Sequence, residues 1–223
     1  MRIGLLGGTF NPIHNGHLQI AEEVLYWLKL DRVLFIPTGK SPQKKDREIA
    51  SKGHRLKMIS LVIKGHFTLC DIEIKSARVS YTIDTISALK RLHPKDSFFF
   101  IIGTDAFSKL SEWKEPERLL ALCPFVIVPR IGFPFSRLPK LSAIKEINRA
   151  ALGALTQKER RSYTFSKKGK MKLFFIRIPP MRVSASEIRT RIKDKKSVDT
   201  LLPKTVLSYI MSKGLYTKAG DRN

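Results

Sequence analysis

Acidic residues are scarce in this chain. Nineteen Asp and Glu stand against 42 Lys and Arg among 223 residues, a formal net charge of +23. Such a surface predicts attraction to anions: nucleotides, nucleic acid or acidic surfaces. Cysteine is nearly absent as well. Cys70 and Cys123 each lie in or beside an apolar run. Two such thiols exclude a disulfide framework and are expected to be buried in a reducing cytosol. No apolar run approaches the roughly 18 residues that a membrane span needs. Met1 is followed directly by a core strand, which leaves no room for a leader and predicts a cytoplasmic protein. No internal repeat or low-complexity tract is present. What remains is a chain of globular composition, 43% hydrophobic. It is long enough to build one α/β domain without staples.

Its organising stretch is residues 3 to 18. Ile3 to Leu6 form a short apolar run with the pattern of a buried parallel strand. Gly7 and Gly8 end it and permit close backbone approach. Asn11-Pro12 makes a turn, and an amphipathic helix starts near Asn15 or Gly16, with apolar Leu18, Ile20, Ala21, Val24, Leu25 and Leu28. A strand, a glycine turn and a helix N-terminus together favour an anion. His14 and His17 stand there, three apart. The pair has three readings: half of a metal site, ordinary surface histidines, or phosphate ligands. A metal needs further ligands, and no His, Cys or Asp cluster lies nearby in sequence. Phosphate contact fits best, because Gly16 sits between the imidazoles and no acidic residue occurs from Gly7 to Ile20.

The rest of the chain alternates. Strands are expected at Arg32–Pro37, Phe67–Ile74, Ser97–Ile102, Phe125–Val128 and Met171–Ile178. Helices are expected at Ser51–Ile63, Tyr81–Leu92, Pro116–Leu122, Ser184–Ile192 and Pro203–Lys213. This rhythm predicts an α/β fold: a Rossmann-like, doubly wound parallel sheet with helices on both faces and a small C-terminal helical part. Ligands then belong at the carboxyl ends of the strands. Residues 1–216 read as a single domain and 217–223 as a mobile tail. Within it, residues 133–172 form a basic elaboration, with 11 Lys or Arg against 2 Glu. Leu141 to Leu155 can be helical there, and Thr156 to Lys170 reads as a loop. Charge of this kind is most often a solvated face.

Several further spots carry chemistry. Thr38-Gly39-Lys40-Ser41 ends like a Walker A loop, but that motif needs a glycine where Leu34 stands, and Pro37 and Pro42 oppose a run into a helix. A P-loop is therefore excluded. Ser80-Tyr81-Thr82-x-Asp84 opens a helix that Ser80 or Thr82 can cap. Gly103-Thr104-Asp105 stands where a strand ends; a glycine and a carboxylate there suit close approach to a ribose and hydrogen bonds to its hydroxyls. Trp113, flanked by polar residues, offers a flat face for stacking on a positively charged ring, whereas Trp27 reads as core. Ser184 and Glu187 form a capping box. On the helix it opens, Ser186 and Arg189 lie three apart beside free N–H groups, a second anion site.

Gly8-x-Phe10-Asn11-Pro12-x-His14-x-Gly16-His17 resembles the signature of the HxGH nucleotidyltransferase superfamily. With Thr9 and the Ser-Tyr-Thr, Gly-Thr-Asp, Trp113 and C-terminal segments, the chain is similar to the bacterial nicotinate-nucleotide adenylyltransferases from Ile3 to Tyr216. It departs at Asn11, where Asp is common, and at Ala185, where Ser is usual. The resemblance implies transfer of AMP from ATP to nicotinate mononucleotide, giving deamido-NAD and pyrophosphate. Gly8, Thr9, Phe10, His14, Gly16, His17, Gly103, Asp105, Ser184, Ser186 and Arg189 would bind ATP. His14, His17 and Arg189 would stabilise charge on its phosphates. Lys44, Tyr81, Thr82 and Trp113 would bind the acceptor, Lys44 at its phosphate. Taken alone, Lys44 reads equally as a solvated loop lysine. Mg²⁺ would be carried mainly by the ATP phosphates, with no protein metal site.

Rival readings are the same chemistry on nicotinamide mononucleotide or phosphopantetheine, a basic nucleic-acid-binding protein, and a binding protein on an inactive scaffold. No nucleic-acid motif is present, and the aromatics lie in apolar runs instead of a basic stripe, so no specific nucleic acid is expected. No membrane partner is expected, and a homo-oligomer stays open.

Overall fold

A computed structural model describes residues 1–40, 50–138, 146–167, 171–179 and 182–217. Its strands are β1 (Arg2–Gly8), β2 (Arg32–Pro37), β3 (Phe67–Leu69), β4 (Ser97–Gly103), β5 (Phe125–Val128), β6 (Ser162–Lys167) and β7 (Met171–Ile176). They form one seven-stranded sheet in the order β3-β2-β1-β4-β5-β7-β6. The helices are α1 (Asn15–Trp27), α2 (Lys52–Ser60), α3 (Ile72–Lys75), α4 (Thr82–Leu92), α5 (Thr104–Phe107), α6 (Pro116–Leu122), α7 (Arg149–Thr156), α8 (Ala185–Lys193) and α9 (Lys204–Ser212). The alternation of buried apolar strands with helices is the Rossmann-like arrangement that the sequence rhythm requires.

The chain packs as two compact units. One comprises Met1–Leu6, Glu23–Arg32 and Tyr81–Pro180; the other Gly7–Glu22, Val33–Ser80 and Met181–Asn223. In the first, β4 lies parallel to β1 with Leu6 beside Ile101, β5 parallel to β4, and β7 parallel to β5. Its core is aromatic and β-branched. Phe98 to Ile102 and Phe125 to Val128 are buried, as continuous apolar strands of a parallel sheet must be. In the second, β2 and β3 pair in parallel, and Val33, Phe35, Met58, Ile59, Val206 and Ile210 are buried.

Several expectations change. The strand foreseen over Phe67–Ile74 stops at Leu69. The N–H of Cys70 still bonds the carbonyl of Phe35, but Asp71 then starts the one-turn helix α3, and only Ile74 of that helix is buried. Within the stretch read as a basic loop, Ser162–Lys167 is a strand, antiparallel to β7. Its alternating Ser-Tyr-Thr-Phe-Ser-Lys buries Phe165 and exposes Ser162, Thr164 and Ser166. The period of two outweighs the charge around it. The helix foreseen from Leu141 is seen over Arg149–Thr156, where the Asn148 side chain accepts the N–H of Ala151 at 3.0 Å; residues 139–145 lie outside the described part. Trp27 is half-buried rather than core, edge-on to exposed Tyr26. Of the cysteines, Cys123 is buried and Cys70 half-buried, both free thiols. The tail beyond Thr217 lies outside the described residues.

Candidate active site

In the second unit, the end of β1 leads through Thr9-Phe10-Asn11 into α1. Phe10 has φ 48°, in the left-handed region, and its ring is buried. That ring packs edge-on to the His17 imidazole, centroids 4.9 Å apart. His14 and His17 stack face to face at 3.7 Å and 25°. The His14 backbone N–H donates to Nδ1 of His17 at 3.2 Å. Nδ1 is therefore the acceptor, and in the neutral ring Nε2 carries the proton. His14, only 1% exposed, lies against the face of His17.

Gly16 makes this arrangement possible. A Cβ there would stand 2.7 Å from Val183 Cγ1 and 3.2 Å from the His14 ring. Gly8 lets strand and loop converge, since its carbonyl accepts the N–H of Thr38 at 2.8 Å. The first N–H of α1 is not free for an anion as expected: Asn15 gives it to the carbonyl of Leu201.

Helix α8 lies in the same unit. Ser184 caps it, accepting the N–H of Glu187 at 3.1 Å. The reciprocal half of the capping box is not formed; the Glu187 carboxylate pairs instead with Arg191 at 2.9 Å. Ser186 is exposed in the first turn. Arg189 sends Nη1 to the backbone carbonyl of Asn11 at 2.9 Å, which ties it to the loop before the histidines. Gly8, Thr9, Phe10, His14, Gly16, His17, Ser184, Ser186 and Arg189 therefore belong to one packed unit.

Tyr81, Thr82, Gly103, Asp105 and Trp113 lie in the other. Tyr81, not Ser80 or Thr82, occupies the cap position of α4, and no side chain caps that helix. The Ser80 hydroxyl is buried beside Gly39, which is why it cannot serve. The uncapped N-terminus keeps its donors available to a ligand. Trp113 is half-buried, edge-on to Phe100 at 6.3 Å. Its neighbour Lys114 places its ammonium over the Tyr81 ring at 4.9 Å and pairs with Asp84 at 3.0 Å. Asp105 faces Arg130 at 3.8 Å, and Gly103 has no room for a side chain between them. Buried Thr104 braces this corner: its hydroxyl donates to the Phe133 carbonyl and accepts the Arg130 N–H. Lys44 lies outside the described residues.

Sequence reasoning gave no role to Arg55, Lys114, Arg130 or Tyr216. Arg55 is 2% exposed and donates to the carbonyls of Thr9, Thr38 and Ala50. Its signal was a charged residue on the buried side of α2, with Met58 and Ile59. Arg130 stands just beyond the carboxyl end of β5, where the strand-end rule points. Lys114 and Tyr216 carried no local signal. No three His, Cys, Asp or Glu side chains gather to hold an ion among the described residues. The donors of the histidine loop are imidazole and guanidinium nitrogens, which do not suit Mg²⁺, an ion that prefers oxygen.

The cytidylyltransferase-like family matches residues 5–191. The probable nicotinate-nucleotide adenylyltransferase of Bacillus pumilus (strain SAFR-032) is 39% identical over 217 residues, covering 96% of this chain and 98% of that protein. The one of Clostridium novyi (strain NT) is 36% identical over 215 residues, again 96% and 98%. Among solved structures, Plasmodium falciparum nicotinic acid mononucleotide adenylyltransferase complexed with NaAD aligns at TM-score 0.72 and 22% identity, over 96% of this chain and 97% of that one. At that identity the likeness speaks for the fold.

Proposed function

The chain belongs to the nicotinate-nucleotide adenylyltransferases of the cytidylyltransferase-like family, and from that premise we propose that it transfers AMP from ATP to nicotinate mononucleotide. The products are deamido-NAD and pyrophosphate. A phosphate oxygen of the acceptor attacks the α-phosphorus in line, and the bond from that phosphorus to the bridging oxygen of the β-phosphate breaks. The attacking oxygen is already ionised near neutral pH, so no general base is needed. Catalysis then consists of positioning and of neutralising charge as it moves toward pyrophosphate.

The observation that carries this reading is the packed loop on which His14, His17 and Arg189 meet. The His17 imidazole and the Arg189 guanidinium serve as donors to phosphate oxygens. Buried His14 fixes the plane of His17. Ser186 adds a hydroxyl at the start of α8. Mg²⁺ enters with ATP as part of that substrate and is held by phosphate oxygens and water. Gly103 and Asp105 take the ribose, Lys44 the acceptor phosphate, and Trp113 the pyridine ring.

The open N-terminus of α4 at Tyr81-Thr82 selects the acceptor. Backbone N–H groups and the Thr82 hydroxyl suit both oxygens of a carboxylate, whereas an amide NH₂ meets them donor to donor. Each unpaired group costs about 1–3 kcal/mol, so two mismatches give a preference of roughly a hundredfold or more. Pyrophosphate release from ATP, measured with nicotinate mononucleotide, nicotinamide mononucleotide and phosphopantetheine in turn, tests this. Equal kcat/KM for the two pyridine nucleotides, or a preference for the amide, would overturn the assignment of the acceptor.

A further inference from the structure

Tyr216 is the last aromatic residue of the chain, and nothing in the transfer chemistry calls for it. It is nevertheless built into the histidine loop. Its hydroxyl donates to Oδ1 of Asn11 at 2.8 Å across 205 residues of sequence. The same Oδ1 accepts the N–H of Ala50 at 3.0 Å. The backbone carbonyl of Asn11 is the group that accepts Arg189 Nη1. One residue of the loop thus joins the C-terminal segment to the arginine proposed to grip phosphate.

Two observations mark this contact as more than filler. Tyr216 has φ 63° and Phe10, next to Asn11, has φ 48°. Side-chain-bearing residues hold that conformation only where their surroundings impose it. The phenol is also buried, and burial pushes its pKa well above the ordinary tyrosine value, although the charges of Arg189 and Arg55 pull the other way. It therefore stays a donor through the working pH range. Arg55 completes the frame by holding the carbonyls of Thr9 and Thr38 at 3.0 and 2.8 Å.

We infer that Tyr216 is a positioning residue for adenylyl transfer: through Asn11 it sets the carbonyl that orients the Arg189 guanidinium toward the ATP phosphates. An arginine anchored to a fixed carbonyl keeps its guanidinium in a fixed plane, which is what recognition of phosphate demands. The inference rests on the function proposed above.

Tyr216→Phe removes the hydroxyl and keeps the ring. In the otherwise wild-type protein it should lower kcat/KM for ATP about tenfold, with KM for the acceptor unchanged; in an Arg189→Ala background the same change should cost less than about twofold, because coupled residues are not additive. Tyr209→Phe removes the hydroxyl of a half-buried tyrosine in the same unit, bonded to His54 at 2.8 Å, and should leave kcat/KM unchanged. An equal loss in both backgrounds, or a loss matched by Tyr209→Phe, assigns Tyr216 to stability alone and overturns the inference. ATP binding by calorimetry runs the same four-variant comparison without turnover. Wild type that binds ATP but releases no pyrophosphate with nicotinate mononucleotide sinks the proposed acceptor, while the coupling is still read from Kd. Wild type that does not bind ATP sinks both.

Discussion

Putting alanine at Gly16 probes how the two histidines are held. The new Cβ would stand 2.7 Å from Val183 Cγ1 and 3.2 Å from Cε1 and Nδ1 of His14. Neither neighbour can swing into solvent, being 7% and 1% exposed. Carbon atoms rest about 3.5–4.0 Å apart, so the valine methyl must retreat by roughly 1 Å. Overpacking of this kind costs about 1–3 kcal/mol, against less than about 1 kcal/mol gained by replacing a helical glycine with alanine. Steric cost wins, and the melting temperature should fall by roughly 2–8 °C for a chain of this size. Activity should suffer more. The His14 ring lies flat on His17, so pushing one moves the other, and a misplacement of about 1 Å can cost a hundredfold in rate. Urea unfolding and single-turnover AMP transfer measure the two effects separately. Val183→Ala supplies the control, since it removes the methyl that the new Cβ would strike. The double variant should recover most of the stability of Val183→Ala alone. Gly16→Ala that matches wild type in both assays, or a double variant no better than Gly16→Ala, would refute the argument from close approach.

His17→Ala should lower kcat by about 10²–10³-fold and leave KM for the acceptor nearly unchanged, since the lost donor acts mainly in the transition state; unchanged turnover in a folded variant removes His17 from the phosphates. Trp113→Ala should raise KM for nicotinate and nicotinamide mononucleotides by the same factor, because the ring stack is common to both; a selective effect on one acceptor contradicts that stack. Burial pushes the Cys123 thiol from 9.0 up to about 12. Above pH 9 the unfolded state therefore loses this proton first and binds fewer protons than the folded one, so stability falls as pH rises from about 9 toward 12. Cys123→Ala should flatten that part of the curve in urea titrations, and an unaltered slope refutes the assignment.

The histidine loop was legible because every part of its chemistry is local. Strand, glycine turn, both imidazoles and the helix start fall within residues 3 to 18. Arg189 was legible for a similar reason: a capping serine announces the helix that carries it. The supports were not. Arg55 acts on carbonyls 5, 17 and 46 residues away, and Tyr216 on a side chain 205 residues away. No spacing rule reaches that far. β6 was hidden differently: its alternation is plain, but the lysines and arginines around it looked like solvated loop. The cap of α4 was misread because Ser80 has the right chemistry at the wrong depth.

The unit that carries the histidines is stitched from three separate stretches of chain, the last beginning at residue 181. On the ribosome this fixes an order of events. Asn11 is made 178 residues before Arg189, and at about 5–20 residues per second that is a wait of roughly 9–36 s. Throughout it, the nascent polypeptide holds both imidazoles but neither the guanidinium nor the tyrosine that locks the loop. A product cut short anywhere before α8 holds both imidazoles without the guanidinium and the phenol that tie down the loop at Asn11.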